Sequence, residues 1–135
     1  MYITKEKPAD MQVNILGSDY TITFKTEKED VRLIECDGYC DSTINTIVVK
    51  WLEWDSMNHN NMLAYVNKVI THEIIHGFLY QSGLDVNSHK EWARNEEMVD
   101  WFAIQLKKIN EACFNVETTF IKNNKDNIVT EEDVK

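Results

Sequence analysis

Two histidines four residues apart, with a glutamate directly after the first, are the residues of this chain that are best suited to chemistry. They form the segment His72-Glu73-Ile74-Ile75-His76. On an α-helix, residues four apart lie on one face, so both imidazoles can reach a single metal ion. Glu73 would then lie close enough to act on a water bound to that metal. This arrangement is typical of a zinc hydrolase, most often a peptidase.

The sequence around the motif has the pattern of a long, partly buried helix. Between Asp55 and Ser82 there is no proline, and Gly77 is the one glycine. Apolar residues recur at spacings of three and four, namely Leu63, Val66, Ile70, Ile74 and Phe78. Gly83 suits a left-handed C-terminal cap. We therefore predict that both histidines lie on one helix from about Asp55 to Ser82.

A second helix is predicted directly behind the first. Ser88 and Glu91 have the spacing of a capping box, and apolar residues recur from there to about Ala112. About five residues, 83–87, would separate the two helices. So short a link favours an antiparallel helical hairpin.

This hairpin would bring a third ligand to the two histidines. If the turn centres near the middle of the link, Glu96 lies opposite His76, and Asp100 follows Glu96 by one helical turn. We predict that Glu96 is the third metal ligand and that Asp100 orients a ligating imidazole, that of His72. One coordination position would stay open for water.

Glu97 and His89 are the alternatives for the third ligand. The helical stripe through Glu96 is apolar and suits a helix–helix contact, whereas the stripe through Glu97 is mainly solvent-facing. His89 would lie roughly 9 Å along the axis from His76, too far for a shared ligand sphere. His89 or Tyr80 could instead stabilise an oxyanion.

The arrangement resembles that of the gluzincin metallopeptidases, which have H-E-x-x-H on one helix and E-x-x-x-D on a later one. The stretch from Glu96 to Ala103 is similar to the E-x-x-A-N-x-F-A segment of the ImmA/IrrE family, with Val99 for Ala and Asp100 for Asn. The chain also looks similar to small phage and prophage H-E-x-x-H proteins, over the segments Val13–Gly17, Tyr20–Ile22, Asp37–Asp41 and Thr71–Tyr80. The resemblance implies a zinc-dependent hydrolase and no particular substrate.

The first half of the chain has the alternating pattern of β-strands. Residues 13–15 and 20–25 alternate in polarity around a turn, which indicates a hairpin, and residues 33–39 and 44–51 have the composition of two more strands. Because the strands come first and the helices follow, we predict an α+β fold. It would consist of an N-terminal antiparallel sheet of about four strands and two long helices that form a zincin-like hairpin. An edge strand beside the cleft could hold a peptide by strand addition.

Length and composition predict one metallopeptidase-like domain at residues 11–121, with a loose arm at 1–10 and a polar tail at 122–135. The net charge of −9 argues against nucleic acid as the main partner. No run of about 18 apolar residues is present, so we expect no membrane span. Three cysteines without a signal sequence indicate reduced thiols in a cytoplasm, that of a bacterial host if the gene is phage-borne.

The sequence therefore predicts a zinc metallopeptidase that acts on a peptide or protein. His72, His76 and Glu96 would hold Zn²⁺, and Glu73 would be the general base for a zinc-bound water. The alternative is a non-catalytic, zinc-containing phage protein that binds a host or phage regulator. The two differ in whether function depends on Glu73. A third interpretation is a helical-hairpin domain without metal, which chelators would not destabilise. The oligomeric state is left open by the sequence.

Overall fold

The structure is a computed structural model, and it describes residues 7–52, 62–87 and 89–123. The chain divides into two compact units, Met1–Ile104 and Gln105–Lys135, and the motif lies in the first. Residues 7–10 have no regular secondary structure. The rest of the predicted arm, the predicted helix start near Asp55 and the predicted tail from residue 124 lie outside the described residues.

Four strands form one mixed sheet. They are β1 (Met11–Ile15), β2 (Ser18–Lys25), β3 (Gly38–Asp41) and β4 (Thr46–Lys50), in the spatial order β1-β2-β4-β3. The outer pairs β1–β2 and β3–β4 are antiparallel, but the central pair β2–β4 is parallel, with Ile22 opposite Ile47. The α+β class is confirmed, and the prediction of an antiparallel sheet is wrong at its centre.

The parallel pairing follows from how the chain returns to the sheet. β3 and β4 form a hairpin of their own, so β4 enters beside β2 in the same direction as β2. Three consecutive residues of β4 are buried, Ile47, Val48 and Val49. A continuous apolar run of this kind is typical of a central strand that is covered on both faces, whereas a half-exposed strand alternates.

The first hairpin forms as predicted, and its turn combines Gly17, which adopts a left-handed backbone freely, with Leu16, which adopts it at a cost. Leu16 has φ 50° and Gly17 has φ 92°, the combination that a two-residue hairpin loop requires. The predicted strand at residues 33–39 is wrong over residues 33–37, because Val31–Ile34 forms a short 3-10 helix and β3 begins only at Gly38. The Asp30 side chain accepts a hydrogen bond from the Arg32 N–H and so starts that helix.

Among the described residues, three α-helices follow the sheet: α1 (Met62–Gln81), α2 (Leu84–Asn87) and α3 (Glu96–Asn123). The two long helices, α1 and α3, are confirmed. The second one begins at Glu96 and not near Ser88, because Asn95 Oδ1 accepts a hydrogen bond from the Met98 N–H at 2.7 Å and caps the helix there. Among the described helices, none combines the length and the apolar character needed to cross a membrane.

The core lies where α1 packs against the sheet. Its buried residues come from three strands and the helix: Ile15, Tyr20, Ile22, Phe24, Ile47, Val49, Trp51, Val66 and Val69. A polar link holds the end of α1, since Tyr20 Oη donates to Gln81 Oε1 at 2.9 Å and Gln81 Nε2 donates to Ser18 Oγ at 2.8 Å. The helix that carries the motif is therefore fixed to the sheet along its length.

Gly77, the residue after His76, lies where α1 passes close to Ile15 of β1. A Cβ at this position would lie 2.6 Å from Ile15 Cδ1, well inside van der Waals contact. Ile15 is fully buried and has little space in which to move. A glycine is therefore required here by space and not by backbone conformation.

We expect Gly77→Ala to destabilise the protein by about 1–3 kcal/mol, since the overpacking at Ile15 outweighs the better helix propensity of alanine. Ile15→Val removes Cδ1, and by itself should cost about 0.5–1.5 kcal/mol. The double variant should be more stable than Gly77→Ala alone, because the added methyl group fills the vacated space. Denaturant unfolding of the four proteins measures this coupling, and strictly additive losses would show that the contact is not limiting.

Candidate metal centre

The two histidines of the motif face each other on one side of α1. His72 Nε2 and His76 Nε2 are 3.1 Å apart, and the ring centroids are 4.9 Å apart. Both side chains are largely buried, with exposed fractions of 16% and 19%. The four-residue spacing therefore brings the two Nε2 atoms to one place on the helix face.

Glu96, the first residue of α3, completes the group. Its carboxylate oxygens lie 3.0 Å from His72 Nε2 and 3.0 Å from His76 Nε2. Among the ion pairs of the described residues, Glu96 contacts the imidazoles and the exposed Glu97 does not. The side chain of His89 lies outside the part of the chain that the structure describes. The structure thus brings together the three residues that the sequence analysis selected as ligands.

These distances fit a tetrahedral metal ion. With bonds of about 2.0–2.1 Å to nitrogen and oxygen, the donor atoms of a zinc site lie roughly 3.3 Å apart. Here Glu96 Oε2 lies 3.0 Å from His72 Nε2, the other oxygen, Oε1, lies 3.0 Å from His76 Nε2, and the two nitrogens are 3.1 Å apart. Two imidazoles and one carboxylate are also a donor set that zinc takes in sites with one position left for water.

The Glu73 carboxyl also lies near the two imidazoles, but it is farther from His72 Nε2 than the Glu96 carboxylate is. Its Oε1 is 3.8 Å from His72 Nε2, and the donor atoms of His72, Glu73 and His76 all lie within 4.8 Å of one another. This trio could hold an ion by itself. The shorter contacts of Glu96 to both imidazoles favour Glu96 as the third ligand, which leaves the Glu73 carboxyl available for proton transfer.

Behind His72, a carboxylate and an ammonium complete the surroundings of the imidazole. His72 Nδ1 lies 3.5 Å from Asp100 Oδ1, and the same oxygen lies 3.3 Å from Lys68 Nζ. A carboxylate on Nδ1 favours the tautomer whose Nε2 is free to bind a metal. The sequence analysis missed Lys68, although a charged residue one helical turn before His72 on the same face was a usable signal.

The surroundings of Glu73 shift its proton affinity strongly. The side chain is 5% exposed, and burial, together with the nearby charge of Glu96, raises its pKa to about 8. Burial also lowers the pKa of His76, although the Glu96 carboxylate opposes that shift. A neutral imidazole is a ligand, and a glutamate with a pKa near neutrality suits general acid–base chemistry.

A cleft of about 670 Å³ opens beside Glu73, His76 and Glu96. Its other side comes from β3 and the segment before β3, and the lining there includes Arg32, Gly38, Tyr39, Cys40 and Asp41. Tyr80 of the helix that carries the motif also lines the cleft. Arg32 lies over the Tyr39 ring at 4.9 Å from its centroid. The sequence analysis gave no role to Arg32 or Tyr39, because nothing local in the sequence shows that they share a cleft with the motif.

Gly38 sets the distance between β3, which lines the cleft, and α1, which carries the two histidines. A Cβ there would lie 2.9 Å from the Val48 carbonyl oxygen, 2.9 Å from Val69 Cγ1 and 3.4 Å from Glu73 Cγ. Any side chain at position 38 would push β3 away from α1. The glycine thus lets a strand pass directly beside Glu73.

In the metal-free protein, we expect Glu73 to make stability fall as the pH rises. The folded state keeps this proton up to about pH 8, whereas the unfolded chain loses it near pH 4.5. Between these values the folded state holds one proton more, so its stability decreases through that window and is constant above it. The loss is at most about 1.4 kcal/mol for each unit of pH.

Thermal unfolding of the chelated wild type and of Glu73→Gln, across that pH window, measures this effect. His76 acts in the opposite direction, because its lowered pKa adds stability as the pH rises through 6.5. Both proteins keep His76, so the difference between them isolates Glu73. The wild type should lose stability relative to the variant, and parallel curves would contradict the assignment.

Comparisons with protein-family models, curated proteins and solved structures find no match. The function of this chain must therefore be inferred from its own structure. The structure places two imidazoles and a carboxylate close enough together to share one metal ion, and a buried glutamic acid beside an open cleft.

Proposed function

We propose that this protein is a zinc-dependent metallopeptidase. The observation that carries the proposal is the convergence of His72, His76 and Glu96 within 3.0–3.1 Å of one another. Glu73 is buried beside this group, and the cleft gives an extended substrate access to it. A binding site for a structural ion would need neither the cleft nor a glutamate of raised pKa.

Zinc supplies Lewis acidity at such a site: it lowers the pKa of a coordinated water and polarises the carbonyl group under attack. The protein supplies the proton transfers. Glu73 takes a proton from the attacking water as the bond to the carbonyl carbon forms. It then delivers that proton to the amide nitrogen as the C–N bond breaks. Asp100 holds His72 in its ligating tautomer throughout.

We also propose that α1 and α3 form the antiparallel hairpin of a zincin-like fold. The contacts between the helices support this, because later residues of α3 meet earlier residues of α1. Glu96 contacts His76 and His72, whereas Asp100, one turn later, contacts His72 and Lys68. Opposite chain directions are the arrangement in which contacts run in this order.

The substrate we propose is an extended peptide segment that pairs with β3. This strand is at the edge of the sheet, since it pairs with β4 on one side and lines the cleft on the other. The edge strand offers backbone N–H and C=O groups to a peptide, and Gly38 keeps that edge close to Glu73. We place the activity in a cytoplasm, because the three cysteines, Cys36, Cys40 and Cys113, are unpaired.

Metal content is the first test of the proposal. Wild-type protein should carry roughly one zinc per chain, and Glu96→Ala should lose it, since two imidazoles alone leave the site one ligand short. Glu97→Ala is the matched control, because it removes the neighbouring carboxylate on the same exposed turn and should retain zinc. Elemental analysis after dialysis against zinc distinguishes the variants. Wild-type protein without zinc would overturn the site.

Hydrolysis is the second test, on zinc-loaded protein with a mixed peptide library and mass-spectrometric detection of new termini. Glu73→Gln should keep its zinc and lose at least about 100-fold in rate, the contribution expected of a general base. Full zinc occupancy without cleavage by the wild type would favour the alternative, a zinc-containing protein that binds a regulator.

A further inference from the structure

The part of α3 that follows Ile104 carries an apolar repeat that the metal centre does not use. Leu106, Ile109, Cys113 and Val116 follow one another at spacings of three, four and three residues, and Phe120 continues the spacing by four. We call this stripe the seam. A repeat of 3.5 residues is the pattern of the contact line of a two-helix coiled coil, narrower than the face of an ordinary amphipathic helix.

The seam faces solvent. Val116 is 69% exposed, Leu106 is 42% exposed, Ile109 is 39% exposed and Cys113 is also exposed. Phe114 and Ile121, on the helix face beyond Asn110 and Glu117, are 64% and 48% exposed. An exposed apolar stripe on a helix marks a surface that another molecule covers.

The residues that flank the seam indicate which molecule that is. In the heptad that the spacing defines, the flanking positions are Gln105, Asn110, Ala112, Glu117 and Thr119. Four of the five are uncharged, although the chain as a whole has a net charge of −9. Lys107, Lys108, Glu111 and Lys122 lie away from the seam on the rest of the helix.

Flanking charges select the partner of a coiled coil, because opposite charges attract and like charges repel across the contact. An acidic flank would repel an identical helix and would fit a basic partner. The nearly neutral flank found here does neither, so the helix can pair with a copy of itself without electrostatic cost. The chain is acidic, but the residues beside the seam are mostly uncharged, so two identical seams can pack together without repulsion between like charges.

We propose that the seam is a self-association surface, on which α3 of one copy packs against α3 of a second copy. The contact makes a symmetric dimer, the commonest assembly of soluble proteins. It involves residues of the second unit alone, so it stands or falls independently of the metal centre.

Sedimentation equilibrium of the full chain tests the proposal, over a concentration series that spans the weak-dimer range. Wild-type protein should reach twice the 15.9 kDa mass of one chain. Val116→Glu places a carboxylate in the seam and should weaken the dimer at least tenfold. Thr118→Glu adds the same charge to the same helix away from the seam and should dimerise like the wild type.

Ile109→Gln gives a second seam variant without a charge, and equal circular dichroism of all variants shows that the helix is retained. Because the flanks are nearly neutral, added salt should leave the wild-type dimer unchanged. A monomeric wild type at every concentration would overturn the proposal, as would equal dimerisation by Val116→Glu and Thr118→Glu.

Discussion

The close packing of α1 on the sheet is the constraint on which the rest of the structure depends. Two glycines make it possible: Gly77 on the helix lets it meet Ile15, and Gly38 on β3 lets the strand meet Val69 and Glu73. Because the helix is held at both places, its histidines have one position relative to the strand that lines the cleft. A catalytic group must be held to within a fraction of an ångström, and a rigid helix on a sheet provides this better than a loop.

This packing also creates the electrostatic character of the site. It buries the Glu73 carboxyl, which disfavours the charged form, and the charge of the nearby, exposed Glu96 adds a smaller repulsion. Without a cation, the protein avoids that repulsion by keeping a proton on Glu73. A divalent cation between His72, His76 and Glu96 would offset the same repulsion by its own charge. The raised pKa of Glu73 and the geometry of the three proposed ligands are therefore two consequences of one arrangement.

Sequence patterns predict those parts of the fold and of the site that depend on residues close together in the chain. Helix periodicity placed His72 and His76 on one face, and a helical-face argument selected Glu96 over Glu97. The start of α3 was misplaced because the capping-box pattern at Ser88 outweighed Asn95, whose side chain caps the helix that forms. The pairing of Glu96 with the imidazoles did not depend on that error, since it is set by the distance of Glu96 from the turn and not by the structure inside the link.

Sequence patterns do not predict features that depend on contacts between residues far apart in the chain. The parallel pairing of β2 with β4 depends on where the chain returns after the β3–β4 hairpin, and the run of three buried residues in β4 was its one local trace. The contribution of Arg32 and Tyr39 to the cleft has the same origin. Lys68 and Asp100 show the intermediate case. Helical spacing puts Lys68 on the same face as His72, but that the two share one carboxylate follows only from the approach of a second helix.

Glu96 differs from the other two proposed ligands in two ways: it is the most exposed of the three, and it is the first residue of its helix. Its side chain is 71% exposed, against 16% and 19% for the two histidines. The positive end of the helix dipole favours a negative charge in the first turn, which suits a carboxylate placed there to bind a cation. Glu96 also lines the cleft, so the proposed site borders the open space beside it. The helix start after Asn95, which the sequence pattern misplaced, thus sets the position of the third proposed ligand at the edge of the cleft.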